Sequence, residues 1–274
     1  MKHRGIIFST LPWVMLMVFL KWASIYTPKF NEIHIMDLVE ISDVGIVFTG
    51  AFFVMGLMLA GTMTDFKESE KIPGEIACNL EAIEDNLLLA LRTHKPTEVN
   101  GVKTSLNQQK MVEALTELTD KIQGWFKSET KDSKEIFPAL RKMNEIAFYM
   151  ANNGADKDAV KGVQENVNGL RKQLTRAYTI SRTDFIKPAY ILLKSLLFSV
   201  LVLLLICKFK TLTGAVLVTG FISFIFIYLY LLINGLDDPF ELNREDTEVD
   251  LLPLDRFRSR LEASFQVHLN KQEG

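Results

Sequence analysis

Long apolar segments alternate with a long charged segment along the chain. Two apolar runs open the sequence and two follow its middle: Ile6 to Tyr26, Val44 to Met63, Tyr190 to Cys207 and Leu212 to Leu236. Each run has about 18–25 residues, the length that an α-helix needs to cross the hydrocarbon core of a bilayer. Strands of a membrane barrel would alternate apolar and polar residues, whereas residues 201 to 206 are continuously apolar. The pattern therefore predicts four transmembrane helices.

The first run is interpreted as a membrane anchor and not as a cleaved signal peptide. It has the basic start of a signal, with Lys2 and Arg4, but it continues past Lys21 and Trp22 without a small-x-small cleavage site. Lys21, and Lys194 in the third run, are expected to extend along the helix and place their ammonium groups among the lipid headgroups. The chain is expected in an inner or plasma membrane.

Charges near the ends of the runs predict the orientation, because positive residues favour the cytoplasmic side. The N-terminus is basic, and the loop between the first two runs carries one lysine against four acids: Glu32, Asp37, Glu40 and Asp43. Both termini and the central charged segment are therefore predicted in the cytoplasm, and the acidic loop outside it. Lys208 and Lys210, between the last two runs, weakly favour the opposite orientation.

Helical periodicity continues through the central segment. Apolar residues recur at helical spacing from Ile76 to Leu91, which extends the second membrane helix to about Arg92. Three further helices are predicted at Ser105 to Lys127, Lys134 to Met150 and Asp156 to Phe185. The tail is predicted to end in a short helix that Asp255 caps. The fold class is all-α, with membrane helices at 1–66 and 188–236, a helical cytoplasmic region at 67–187 and an acidic tail with a short helix at 237–274.

Composition excludes several classes of function. The net charge of −2 and the lack of a basic stripe argue against nucleic-acid binding. The two cysteines, Cys78 and Cys207, fall in different predicted compartments, so no disulfide framework is expected. The four histidines are scattered, and no glycine-rich phosphate loop or nucleophile motif is present. The protein is not expected to be an enzyme.

The second run mixes small residues with bulky ones. Phe48 and Phe52 are four residues apart and share one helical face, whereas Ile46 and Phe53 share another. Such a face, repeated around a symmetry axis, would form a hydrophobic constriction of the kind that gates pores by dewetting. The alternative is that these side chains pack against the other three helices, and periodicity alone favours it. Four glycines in the run would let neighbouring helices approach closely: Gly45, Gly50, Gly56 and Gly61.

The segment after the fourth run is acidic. Seven carboxylates lie between Asp237 and Asp250. Calcium takes six to eight oxygen ligands, so a Ca²⁺ site is one interpretation. The other is that these acids cap neighbouring helix N-termini, because the spacing of an EF-hand is absent.

Three segments together resemble the bestrophin family of ion channels. Asp238-Pro239-Phe240 followed by residues 250–255, Asp-Leu-Leu-Pro-Leu-Asp, is similar to the bacterial pattern Asp-Pro-Phe-Gly and Asp-Leu-Pro-Leu-Asp. Residues 186–190, Ile-Lys-Pro-Ala-Tyr, are similar to the family's Ile-Pro-x-x-Tyr, and residues 68–76 to its Glu-Ala-Arg-Lys-Leu-Trp-Gly-Glu. The family's Phe-Arg-x-Asn segment has no counterpart; residues 57–61 read Leu-Met-Leu-Ala-Gly.

The resemblance implies a homopentamer in which the second membrane helix lines a central pore. The hydrophobic neck of that pore would fall among five residues of this helix: Ile46, Phe48, Gly50, Phe52 and Phe53. Anion conduction is implied, although the acidic outer mouth would concentrate cations, so cation conduction stays open. The tail of animal relatives binds Ca²⁺, and the closest candidates for this role are Asn243, Asp246 and Asp250. The remaining alternative is a non-conducting membrane scaffold or sensor whose cytoplasmic helices bind a partner.

Overall fold

The computed structural model describes residues 5–26, 39–94, 98–99, 102–103, 105–132, 134–182, 187–241 and 247–261. Most of these residues lie in long helices: α1 (Ile6–Tyr26), α2 (Ile41–Thr93), α3 (Gln108–Phe126), α4 (Ile136–Asn152), α5 (Lys157–Arg182), α6 (Lys187–Ile206) and α7 (Leu212–Leu236). Residues 252–261 form a further helix, α8. The described strands have two residues each: β1 (Val39–Glu40) pairs in parallel with β4 (Cys207–Lys208), and β2 (Glu98–Val99) pairs antiparallel with β3 (Val102–Lys103).

The chain divides into two compact units. The first comprises residues 1–67 and 183–248, and the second comprises residues 68–182 and 249–274. Helix α2 contributes its N-terminal part to the first unit and its C-terminal part to the second. Within the described residues, four helices are long and apolar enough to cross a membrane: α1, α2, α6 and α7.

The core of the first unit lies where α2 packs against α6 and α7. Helix α2 contributes a stripe of buried residues spaced alternately by four and three: Val44, Phe48, Ala51, Met55 and Met58. Helix α6 contributes Leu193, Val200 and Leu204, and α7 contributes Phe226 and Ile233. Alternating steps of four and three keep side chains on one face of a helix, which is why this stripe can pack along its whole length. Helix α1 lies against α7, where Val18 approaches Gly220.

Lys21 joins the end of α1 to the end of α6. Its side chain is only 3% exposed, and its Nζ donates hydrogen bonds to the carbonyl oxygens of Leu205, at 2.8 Å, and Cys207, at 2.6 Å. Carbonyls at a helix C-terminus have no partner within the helix, so a lysine satisfies them well. The ammonium group of Lys21 is therefore held at the end of α6 by carbonyl oxygens of its own chain. Lys194, in contrast, is exposed on α6.

The second unit is a bundle of helices around an apolar core. The apolar face predicted for α3 is buried, including Met111, Leu115, Leu118 and Ile122. Helix α4 packs against α3 and α5. Ion pairs on the surface of the unit connect α5 to α2 through Arg176 and Glu68, and α4 to α3 through Lys142 and Glu117. The hydrogen bond that Glu135 accepts raises the pKa of the Lys121 ammonium.

The predicted helices agree with the observed ones within about three residues, and the all-α fold class is confirmed. Helix α4 ends where predicted, because Gly154 has a φ of 77° and the amide of Ala155 donates to the carbonyl of Met150. The cap predicted for the terminal helix is wrong. Helix α8 begins earlier. Its first amide, that of Leu252, donates a hydrogen bond to Oδ1 of Asp250 at 2.8 Å, so Asp250 is the capping residue. Asp255 instead accepts hydrogen bonds from Gln123 and Lys127 on α3.

Candidate functional site

Helix α2 carries a second stripe of residues, which no other described part of the chain covers. Its members are exposed and follow the same alternation of four and three residues as the buried stripe. We call them the open stripe: Ile46, Gly50, Phe53, Leu57, Ala60 and Thr64. The exposed fractions of the three bulky members are 85% for Ile46, 65% for Phe53 and 59% for Leu57. Helix α2 therefore buries one stripe in its own unit and leaves a second stripe of equal regularity open to another helix, to water or to lipid.

The two hydroxyls beside and on this stripe bond to their own helix. Thr49 donates to the carbonyl of Gly45 and Thr64 donates to that of Ala60, each at 2.9 Å. These bonds satisfy the hydroxyl hydrogens locally and leave the lone pairs of both oxygens at the surface of the helix. The bulky apolar part of the open stripe therefore has a hydroxyl oxygen near each end, from Thr49 beside Ile46 and from Thr64.

The four glycines of this segment have open space beside them. A Cβ atom placed on Gly45, Gly50, Gly56 or Gly61 would meet nothing within 4 Å. The prediction that these glycines admit neighbouring helices is therefore not realised within the described chain. Gly45 and Gly56 lie about three turns apart on one flank of the open stripe, and Gly50 and Gly61 lie about three turns apart toward the other.

The structure separates the five residues that were predicted as neck candidates. Ile46, Gly50 and Phe53 lie on the open stripe. Phe48 is 9% exposed and belongs to the core of the first unit, which argues against a place in a neck. Phe52 is half exposed and its ring meets that of Phe226 on α7 edge-to-face, with centroids 6.5 Å apart.

Leu57 was not among the predicted candidates. A membrane helix is apolar on all sides, so the sequence does not mark the face that its own chain leaves uncovered. A seven-residue spacing was the signal available, because it places Phe53 on one face with Ile46 and Leu57 on the same face with Gly50.

Two of the four predicted outer-mouth acids lie within the described residues. Glu40 and Asp43 are exposed at the start of α2. Glu40 is the register partner of Lys208 in the parallel β1–β4 pair, so a basic residue stands beside this acid. Glu32 and Asp37 lie outside the described residues.

The structure bears on one of the three candidate Ca²⁺ ligands. Asp250 is exposed and caps α8. Asn243 and Asp246 lie outside the described residues. Among the residues that the structure describes, no group of three histidine, cysteine, aspartate or glutamate side chains is placed to hold a metal ion.

The similarity of this chain to known proteins lies in its structure. The sequence matches no protein-family model and no curated protein sequence. Solved structures match over nearly the whole length. Two variants of a bacterial bestrophin homologue from Klebsiella pneumoniae superpose with TM-scores of 0.70 and 0.68, at 14% and 12% identity. The first comparison covers 95% of this chain and 97% of the other, and the second covers 92% and 97%.

The chain has the bestrophin fold. A structure described as a membrane protein is similar as well, with a TM-score of 0.72 at 14% identity over 91% of this chain and 95% of that one. The resemblance stated from three short motifs is therefore confirmed at the level of the fold. Together with its apolar helices, the bestrophin fold identifies this chain as a membrane protein.

Proposed function

We propose that the protein is an oligomeric ion channel in which copies of α2 surround a central pore. The observation that carries this proposal is the open stripe, whose bulky members Ile46, Phe53 and Leu57 form no part of the core of their own chain. When identical helices stand parallel around an axis, a stripe spaced by four and three residues keeps facing that axis. Three successive apolar rings would form a neck that excludes water until it widens.

The composition of the open stripe supports a pore over a lipid-facing surface. The exposed surface of α1 is bulky and aromatic, as lipid contact favours, and includes Phe8, Trp13, Phe19 and Trp22. The open stripe instead interrupts its bulky residues with Gly50, Ala60 and Thr64. Small and hydroxyl-bearing residues are typical of surfaces that meet another helix or water.

The four glycines on and beside the open stripe support a ring. In a closed ring, each subunit presents two different sides to its two neighbours. Gly45 and Gly56 would receive one neighbouring α2, and Gly50 and Gly61 would receive the other. The resemblance to bestrophins makes five the expected number of subunits.

Orientation and selectivity follow from charge. In this proposal the protein lies in an inner or plasma membrane with its basic N-terminus on the cytoplasmic side. Glu40 and Asp43 then lie at the outer mouth of the pore, and the second unit forms the cytoplasmic vestibule. The bestrophin resemblance favours anions. The exposed carboxylates of Glu40 and Asp43 favour cations, and the neighbouring Lys208 reduces their effect.

Adjacent phenylalanines provide a matched test. In planar bilayers, Phe53→Ala should raise the leak conductance severalfold, because a shorter side chain widens and wets the neck. Phe52→Ala removes the same ring one position away, next to Phe226, and should leave the conductance near that of the native channel. Equal conductance for native protein and Phe53→Ala would contradict the assignment of Phe53 to the neck. An absence of conductance in all three proteins would contradict the proposal of a channel.

A membrane scaffold is the second candidate, and one observation favours it. Phe137 and Phe148 are exposed on α4, three turns apart and on one face of the helix, where a partner protein would find an apolar surface. A scaffold would be silent in liposome flux assays and monomeric in detergent. The channel requires flux and a ring.

A further inference from the structure

We propose that a lysine-lined cavity in the first unit binds the phosphate group of an anionic phospholipid. The cavity has a volume of about 210 Å³ and lies between the end of α1, strand β4 and the start of α7. Its polar lining includes Lys21, Ser24, Lys208, Lys210 and Thr211. This proposal does not depend on ion conduction.

The charge of the cavity identifies the class of ligand. Three of the described lining residues are lysines and none is an aspartate or glutamate. Thr211 adds a hydroxyl that can donate a hydrogen bond to a phosphate oxygen, whereas the hydroxyl of Ser24 donates to the carbonyl of Lys21 at 2.7 Å. Lysine is a common phosphate-binding residue, in which the ammonium group acts as a point charge.

Lys21 gives the cavity a fixed positive charge. Its Nζ is held by the carbonyl oxygens of Leu205 and Cys207 and lies 5.0 Å from the centre of the Phe209 ring. Because these contacts fix the ammonium group, an anion that enters meets a cation already in place. Lys208 and Lys210 are exposed and can turn toward the ligand.

The first turn of α7 adds to this field. Thr211 caps the helix by accepting a hydrogen bond from the amide of Gly214, and the remaining amides of the turn direct their partial positive charge toward the same end. This contribution is secondary to the lysines. It acts in the same direction.

The position of the cavity selects the lipid as the source of the phosphate. Candidate membrane spans end at Tyr26 and Ile206 and begin at Leu212, so the cavity lies where those spans meet the headgroups. The rings of Trp22 and Tyr26, 5.0 Å apart on α1, mark the same level, because such aromatic pairs favour the membrane–water interface. The volume is below the roughly 300 Å³ of a small-molecule pocket, so it suits a headgroup whose acyl chains stay in the bilayer.

Glu40 provides a control, because its negative charge should have the opposite effect on anion binding to that of the lysines. It is the register partner of Lys208, and residues paired in register on parallel strands point to the same side. Its carboxylate should therefore weaken binding of an anion. Glu40→Gln should strengthen it.

The test measures how full-length protein in nanodiscs retains phosphatidylglycerol against a phosphatidylcholine background, by native mass spectrometry. The double variant Lys208→Gln/Lys210→Gln should weaken retention by about 30-fold, since each lysine near the surface contributes roughly a fivefold factor. Lys157→Gln/Lys172→Gln changes the net charge equally on α5 and should have no effect. Glu40→Gln should increase retention severalfold, and this arm remains informative if the lysine variant folds poorly.

Two outcomes would overturn the proposal. Equal retention of phosphatidylglycerol by native protein and the Lys208/Lys210 variant would remove the site. Displacement of the lipid by millimolar inorganic phosphate would show that the cavity takes a free anion and not a headgroup.

Discussion

Gly169 on α5 faces Asn79 on α2 so closely that a Cβ atom on the glycine would collide with the asparagine side-chain oxygen. Gly162 faces Asn86 in the same way, seven residues away on each helix. Both asparagines fold back on α2, where Asn79 donates to the carbonyl of Glu75 at 2.7 Å and Asn86 to that of Ala82 at 2.6 Å. The two glycines thus let α5 approach α2 closely at these two places.

Gly162→Ala should destabilise the protein by about 1–3 kcal/mol, because the added methyl group displaces the Asn86 side chain and disrupts its hydrogen bond to Ala82. Gly124→Ala is the matched control. Its Cβ meets nothing within 4 Å in the interior of α3, so it should stabilise by about 0.5–1 kcal/mol through lower chain entropy. Chemical denaturation in detergent measures both values. Equal effects for the two substitutions would contradict the close packing of α5 on α2.

A pair of buried hydroxyls in α7 supports the prediction that a substitution increases stability. Thr219 and Ser223 are fully buried one turn apart, and their oxygen atoms have no hydrogen-bond partner among the residues that the structure describes. A buried hydroxyl without a partner is costly, so Thr219→Val should raise the stability of the first unit by about 1–2 kcal/mol.

Thr62→Val is the control for this prediction. Thr62 is equally buried on α2, but its hydroxyl hydrogen-bonds the carbonyl of Met58 at 3.2 Å, so the same change should bring no gain. The thermal midpoint in detergent compares the two variants. A loss of stability in Thr219→Val would mean that its hydroxyl binds a water molecule or an ion.

Lys21 is expected to be essential to the first unit. Lys21→Met keeps the length of the side chain but removes both hydrogen bonds to the end of α6, which should cost about 2 kcal/mol or more. Lys194→Met changes an exposed lysine and should have little effect. If the two variants melt at the same temperature, Lys21 does not connect α1 to α6.

Asp250 should act as a helix cap. Asp250→Ala removes the acceptor for the amide of Leu252 and should destabilise α8 by about 1 kcal/mol, whereas Asp250→Asn keeps an acceptor oxygen. Hydrogen exchange of the amides in residues 252–261 measures the local stability of α8. Faster exchange in Asp250→Asn as well would indicate that the charge, and not the cap, is what α8 needs.

The sequence predicted well where the helices of this fold begin and end. It predicted less well which face of each helix is buried. Long apolar runs and amphipathic segments specify where helices begin and end, and Gly154 specified the end of α4. The contacts of Lys21, and the fit of Asn79 to Gly169, depend on which helices become neighbours. That information is not present in the periodicity of any one segment.

The candidate site shows the same division. Ile46, Gly50 and Phe53 were selected from the sequence together with Phe48 and Phe52. In an apolar membrane helix, hydropathy is nearly uniform around the circumference, so it cannot separate the packed face from the open one. Only the packing of α6 and α7 against Phe48 and Met55 distinguishes them.

Electron microscopy of the full-length protein in nanodiscs tests the central claim most directly. The account predicts ring-shaped particles with five-fold symmetry, in which α2 is the innermost helix and Phe53 points to the axis between Ile46 and Leu57. Particles in which the open stripe of α2 contacts lipid or another helix, with no central opening, would contradict it.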